Sequence, residues 1–145
     1  MKGNGEMSRI AHCSCGSLRV EVAGEPAVVS ACHCSECQRR TGAPFGVSAY
    51  FERTQVRAEG PFKVHIRDGQ EGRKLRFHFC PECGTTVFWE ADFRPNHIAV
   101  AVGTFVDPSF PAPTRSVWEE GRHTWVSFGH DLERFPQASF ILPPR

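Results

Sequence analysis

Seven cysteines, crowded into three short segments, constrain this chain more than any other feature of its sequence. They read Cys13-Ser14-Cys15-Gly16, Cys32-His33-Cys34-Ser35-Glu36-Cys37 and Cys80-Pro81-Glu82-Cys83-Gly84. An odd count set in tight clusters does not suit a disulfide framework, which pairs its thiols and joins distant segments. The N-terminus, Met1-Lys2-Gly3-Asn4-Gly5-Glu6-Met7, is polar and lacks the apolar stretch of a signal peptide. A reducing, cytoplasmic compartment is therefore the expectation, and there closely spaced thiols bind metal.

Two cysteines three apart on a tight turn can aim both sulfurs at one ion. A glycine after the second lets the backbone take the turn and point N–H groups at the thiolates. Cys80 and Cys83 fit that description, and Cys13 and Cys15 form a shorter version with the same trailing glycine. Zinc takes four ligands in a tetrahedron, so Cys13, Cys15, Cys80 and Cys83 together make one closed, structural site. Cys32, Cys34 and Cys37 remain for a second zinc that is one protein ligand short, the mark of a catalytic site. Spacing alone leaves other groupings open. Cys34 and Cys37 could join Cys80 and Cys83, or His12, His78 or His97 could close the second site. His33 lies between two ligands, where extended chain turns its ring away. A redox C-x-x-C would require a thioredoxin-like βαβ setting, which the sequence lacks.

With 145 residues there is room for one domain. A flexible N-terminus is expected over 1–8, a single zinc-binding domain over 9–137 and a C-terminal tail over 138–145. Period-two alternation dominates the middle: Leu18 to Val22, Phe45 to Phe51, Phe62 to Ile66 and Leu75 to Phe79. Val87 to Trp89 and the apolar run His97 to Val102 complete the strand pattern, and these alternating aromatics read as core. Helix is expected only over Ser35 to Thr41 and in a second piece, Thr114 to Glu120. The fold class is mainly β, mostly antiparallel, with little helix. A net charge of +1 without long like-charge runs gives no footprint for nucleic acid or for an anionic membrane. No window approaches the roughly 18 apolar residues of a membrane-spanning helix.

Three thiolates around Zn²⁺ leave a net charge of −1, which blunts its power to activate water. Such a soft centre accepts one more sulfur instead, lowering the pKa of a substrate thiol. The inferred chemistry is a sulfur nucleophile adding to, or leaving from, a small carbonyl carbon. Arg39 and Arg40 follow at once and could offset the charge or grip substrate carboxylates; the plainer reading is two solvated side chains. Glu36 could move a proton, or stand exposed. A deaminase is disfavoured: Cys34-Ser35-Glu36 matches half its signature, but no proline precedes Cys80, and Cys32 and Cys37 would be idle. Nucleic-acid-binding zinc fingers would need paired histidines and a basic helix.

Taken together, Cys13-Ser14-Cys15-Gly16-Ser17-Leu18, the run from Cys32 through Arg39-Arg40-Thr41-Gly42-Ala43-Pro44-Phe45, and Phe79-Cys80-Pro81-Glu82-Cys83-Gly84-Thr85 carry a family likeness. The chain resembles the glutathione-dependent formaldehyde-activating enzymes, whose relatives include centromere protein V. Val102-Gly103-Thr104-Phe105 and Asp131 to Phe135 are weaker echoes. The resemblance implies a β-tent fold of short antiparallel sheets joined at a structural zinc on Cys13, Cys15, Cys80 and Cys83. It implies a catalytic zinc on Cys32, Cys34 and Cys37, two Zn²⁺ per chain, and carbon–sulfur lyase activity. The implied substrates are a small thiol, glutathione, and a small aldehyde, formaldehyde, combining reversibly to S-(hydroxymethyl)glutathione. One departure is that family members often carry a histidine where this chain has Pro113-Thr114-Arg115-Ser116. The competing function is a non-enzymatic zinc module that binds a protein partner.

Overall fold

The computed structural model describes residues 7–138, so most of the expected flexible N-terminus and of the C-terminal tail lies outside the described residues. In chain order the strands are β1 (Ser8–His12), β2 (Arg19–Ala23), β3 (Val28–Cys32), β4 (Gly46–Glu52), β5 (Val56–Glu59), β6 (Lys63–Asp68), β7 (Lys74–Phe79), β8 (Thr86–Ala91), β9 (His97–Ala101), β10 (Arg115–Val117) and β11 (Glu133–Arg134). One α-helix, α1 (Ser35–Thr41), stands between β3 and β4. The protein is mainly β with little helix, as the alternation predicts. Its residues gather into two compact units. The first holds the chain through Ala27 together with Ala49–Phe110, and the second holds Val28–Ser48 and the chain from Pro111 onward.

In the first unit β1 and β2 form an antiparallel hairpin, from Ser8 opposite Ala23 to His12 opposite Arg19, and β5 pairs along the far side of β2. The alternation of β2 buries Val20 and Val22 completely and leaves Arg19 exposed. Strands β6 to β9 make an antiparallel meander in which Phe77 lies opposite Trp89, and Trp89 opposite Ala99. Side chains of paired residues share a face. These three therefore join Leu75, Ala91 and Ala101 in one buried cluster, against which Tyr50 and Phe93 pack. The Phe77 and Trp89 rings sit 5.3 Å apart, a contact of about 1 kcal/mol beyond simple burial.

The row Phe62, Val64 and Ile66 departs from expectation. Its alternation reads as core, but the three side chains are 48%, 43% and 56% exposed. β6 is the last strand of its sheet, and Val64 and Ile66 stand across from His78 and Arg76, on the face opposite Phe77. His78 and Phe88 on that same face are buried, and His65 on the Phe77 face is exposed, so it is the edge position of β6 that leaves it uncovered.

In the second unit β10 pairs with β3, Arg115 opposite Ser30 through Val117 opposite Cys32, and β11 adds beyond β10. Both pairings are parallel, beside the antiparallel pairings of the first unit that make the fold mostly antiparallel, as expected. The helix expected over Thr114 to Glu120 is also replaced. Pairing with β3 holds Arg115–Val117 extended, Trp118 turns into the left-handed region at φ 56°, and only a 3-10 turn follows at Glu119–Gly121. A partner strand distant in sequence outweighs the weak local helix signal. α1 forms where expected. The Cys34 sulfur accepts the Cys37 N–H at its start, and Gly42, at φ 67°, donates its N–H to Gln38 O at its end.

Gly60, between β5 and β6, lies against the turn that carries Cys15. A Cβ placed there would sit 1.8 Å from the Ser17 carbonyl oxygen, and the residue holds φ +101°. Gly60→Ala is expected to cost about 2–4 kcal/mol, from backbone strain and overlap together. Chemical denaturation measures it, and a loss under about 0.5 kcal/mol, the range of neutral surface changes, would contradict the close approach.

Candidate metal centres

Each cysteine pair of the first centre sits at a hairpin tip. After β1, the Cys13 N–H bonds to Leu18 O at 3.0 Å, and Gly16 N–H returns to Cys13 O at 3.0 Å with Gly16 at φ 83°. After β7, Cys80 N–H bonds to Thr85 O and Gly84 N–H to Cys80 O, both at 2.9 Å, with Gly84 at φ 81°. The two tips thus repeat one device. Amide groups then turn inward, Leu18 N–H donating to Cys13 Sγ at 3.3 Å and Glu82 N–H to Cys80 Sγ at 3.4 Å. The tips also meet directly, through Ser14 N–H to Thr85 Oγ1 at 3.2 Å and Ser17 Oγ to Cys80 Sγ at 3.3 Å.

All four sulfurs of Cys13, Cys15, Cys80 and Cys83 lie within 4.8 Å of one another. Cys15 Sγ is 3.6 Å from both Cys13 Sγ and Cys80 Sγ. A tetrahedron of sulfurs each about 2.3 Å from a central zinc has edges of roughly 3.8 Å, so the donor set fits such an ion closely. Cys13 and Cys80 are buried, while Cys15 and Cys83 face outward. The Thr85 hydroxyl and backbone N–H, with the Cys15 N–H, hold the Cys83 thiol down at about 5. At Cys13, burial works the other way but is outweighed by the Leu18 N–H and the neighbouring thiols, so its pKa is lowered as well. A thiol held as thiolate is a ready metal ligand.

The second centre is local. Cys32 closes β3, Cys34 caps α1 and Cys37 lies within its first turn. Their sulfurs also lie within 4.8 Å of one another, each thiol half-buried and none bridged. Hydrogen bonds from Cys32 and Cys37 hold Cys34 down at about 2 despite its burial. The same contacts and burial drive Cys32 far up. At Cys37 the bond with Cys32 lowers the pKa, but Cys34 and burial prevail and leave it at about 11. One proton deficit is thus shared among three sulfurs.

Among the described residues no histidine, aspartate or glutamate ligand atom joins either group. His12 bonds through Nδ1 to Cys13 O, and His78 stacks on Phe88 at 4.3 Å. His33 turns away from its neighbouring thiols, as the extended chain predicts. It is fully buried between Phe45 and Phe128, with Nε2 2.9 Å from Ser116 Oγ. Ser116 donates onward to Glu119, whose carboxylate also receives Arg122 at 3.1 Å and Arg134 at 3.1 Å. Gln38 ties α1 to the same region, donating to His33 O at 2.9 Å and receiving His123 Nε2 at 3.1 Å. Ser116 and Glu119 carry no local motif, so nothing in the sequence marks them. Glu36 is exposed and paired with Arg39 at 2.9 Å, which leaves it on the helix surface rather than among the thiols. Arg40, by contrast, is half-buried.

Glu119 offers a stability test. Burial raises its pKa, but the Ser116 hydroxyl and the Arg134 and Arg122 guanidiniums outweigh that and lower it. A carboxylate depressed in the folded state adds stability above its unfolded pKa and loses it as pH falls through the folded value. Glu119→Gln should therefore destabilise the chain by about 2 kcal/mol near neutrality, with the deficit shrinking below about pH 4. Denaturation across pH measures this, and a constant deficit at every pH would refute the ionised network.

This is a mainly β chain that gathers its thiols into one set of four and one set of three, each of which could hold a metal ion. It belongs to the glutathione-dependent formaldehyde-activating enzyme family, whose family model matches residues 8–121. A relative from Pyrenophora teres f. teres, provisionally named a glutathione-dependent formaldehyde-activating enzyme, is 32% identical over 125 residues, covering 77% of this chain and 64% of its own. A relative from Fusarium vanettenii with the same provisional name is 31% identical over 121 residues, covering 75% and 63%. The chain thus spans just under two thirds of the length of these curated relatives. The crystal structure of a Rhodobacter sphaeroides protein, 24% identical, covers 68% of this chain and 91% of its own at a TM-score of 0.53, a likeness of fold. No helix among the described residues is long and apolar enough to cross a membrane.

Proposed function

We propose that this protein is a zinc-dependent carbon–sulfur lyase, reversibly adding glutathione or a related thiol to formaldehyde to give S-(hydroxymethyl)glutathione. The observation that carries the reading is the trio of Cys32, Cys34 and Cys37, three converging thiols that no fourth described side chain completes. The names of the family and of its relatives supply the two substrates. Cys13, Cys15, Cys80 and Cys83 would hold a structural zinc, and Cys32, Cys34 and Cys37 a catalytic one. A zinc ion on the trio would supply a soft fourth position that favours a sulfur donor and lowers its pKa. The addition forms one C–S bond, and the proton of the thiol ends on the former carbonyl oxygen; the reverse step breaks the same bond.

The chain's own residues hold the trio ready. α1 fixes Cys34 and Cys37 one helical turn apart, and β3 delivers Cys32 beside them. The His33 ring, packed between two phenylalanines and tied to Ser116, stops the intervening residue from swinging round. A reducing, cytoplasmic setting would keep all seven thiols available for metal.

Metal analysis should find two zinc ions per chain. After cobalt replacement, added glutathione should alter the absorption of one centre only. Cys37→Ser should keep one metal and the fold while lowering thiol–formaldehyde exchange, followed by NMR, at least about 100-fold. Cys80→Ser should lose the structural ion and much of the folding free energy. Cobalt bands indifferent to glutathione in the wild type would sink the reading.

A further inference from the structure

The sequence offers Arg39 and Arg40 as equals; the structure separates them. Arg39 is 72% exposed and bound to Glu36, a pair on the outer surface of the helix. Arg40 follows Cys37 by three residues on α1, which brings the two side chains to one face. It is half-buried, and its guanidinium rests against Gly46, the first residue of β4. A Cβ at Gly46 would lie 2.6 Å from Arg40 Nη2, 3.7 Å from Arg40 Cζ and 3.3 Å from Thr41 Cγ2. Gly46 is buried and is not among the residues with positive φ, so the backbone there does not require glycine. The guanidinium fills the space that a side chain at Gly46 would take.

The charge balance gives that placement a purpose. Three thiolates on a divalent ion leave −1, and a guest thiolate would bring −2 into a half-buried site. Resting on the lyase reading above, we propose that Arg40 is the fixed counter-charge of the Cys32–Cys34–Cys37 centre. Gly46 is its seat, and its role is to favour a second anionic sulfur whatever else the incoming thiol carries. It acts through the field at the sulfurs and is a positioning residue. Arginine suits this because its charge persists at every working pH and its planar group packs flat.

The test uses the full chain with cobalt in both centres, titrated with glutathione and with 2-mercaptoethanol, which carries no carboxylate. Arg40→Gln should weaken binding of both thiols by roughly 10-fold, the scale of one unit charge at a partly solvated site. Arg40→Lys should restore most of it, and Gly46→Ala, which keeps the arginine but fills its seat, should fall between. Unchanged absorption from the four-sulfur centre certifies the fold of each variant. A loss confined to glutathione would mark a carboxylate grip and overturn the counter-charge. Equal losses in Arg39→Gln and Arg40→Gln would overturn the assignment to one residue. If wild-type cobalt bands ignore every thiol, the lyase reading fails by itself. The counter-charge is then decided by competition with a chelator: faster loss of cobalt from the trio in Arg40→Gln upholds it, and equal retention overturns it.

Discussion

Sulfur anions repel, and this fold presses them together. Cys15 Sγ stands 3.6 Å from two other thiols, and Cys13 and Cys80 are closed off from water. Four thiolates at such spacing cannot all ionise unaided, so protons must be shared. The split shows in the pKa directions, with Cys13 lowered and Cys15 raised. The trio shows the same division, Cys34 low and Cys32 and Cys37 high. A divalent cation bound there would replace the shared protons and turn the repulsion into attraction, and metal binding of this kind contributes to folding.

The two centres differ in how the chain reaches them. The first needs two hairpins whose tips lie 65 residues apart, from Cys15 to Cys80, so it joins parts of the first unit that are distant in sequence. It closes a long loop, the geometry in which a cross-link restrains the unfolded chain most. The second needs six consecutive residues and a single helical turn. What it takes from the rest of its unit is orientation: β10 fixes the end of β3, and the His33–Ser116–Glu119 chain anchors the residue between two of the thiols. Gly121 belongs to that anchoring too, since a Cβ there would fall 2.6 Å from His33 O. The four-thiol set is made of long-range contacts and the three-thiol set of short-range geometry.

That division explains what could be read from the sequence. The knuckles, the bounds of α1 and the turned-away His33 are local features, set by spacing and period, and each is legible. The parallel pairing of β3 with β10 is not, because nothing within Arg115–Val117 announces a partner some 85 residues earlier, Ser30 opposite Arg115. Phe62, Val64 and Ile66 alternate as well as any buried strand, yet β6 stands at the edge of its sheet, where neither face is closed over. Ser116 and Glu119 are ordinary residues until folding sets them behind His33. Arg39 and Arg40 are adjacent and chemically identical, and only the fold tells them apart, one exposed beside Glu36 and the other half-buried against Gly46.

The short helix shows why fold and chemistry cannot be separated here. Seven residues are too few for a helix to persist by propensity alone. α1 is held instead by its ends and its side chains. Gly42 closes the last turn, Thr41 Oγ1 returns to Cys37 O at 2.9 Å, and Gln38 clamps the helix to the loop carrying Gly121. Its first turn is capped by the Cys34 sulfur, standing where a serine or aspartate oxygen ordinarily would. The backbone N–H groups of Cys37 and Glu36 favour the thiolate there, so the cap is strongest in the state a metal requires. Oxidising or alkylating Cys34 would remove a ligand and a cap at once. The helix that positions Cys37 and Arg40 thus depends on the same sulfur whose chemistry it serves.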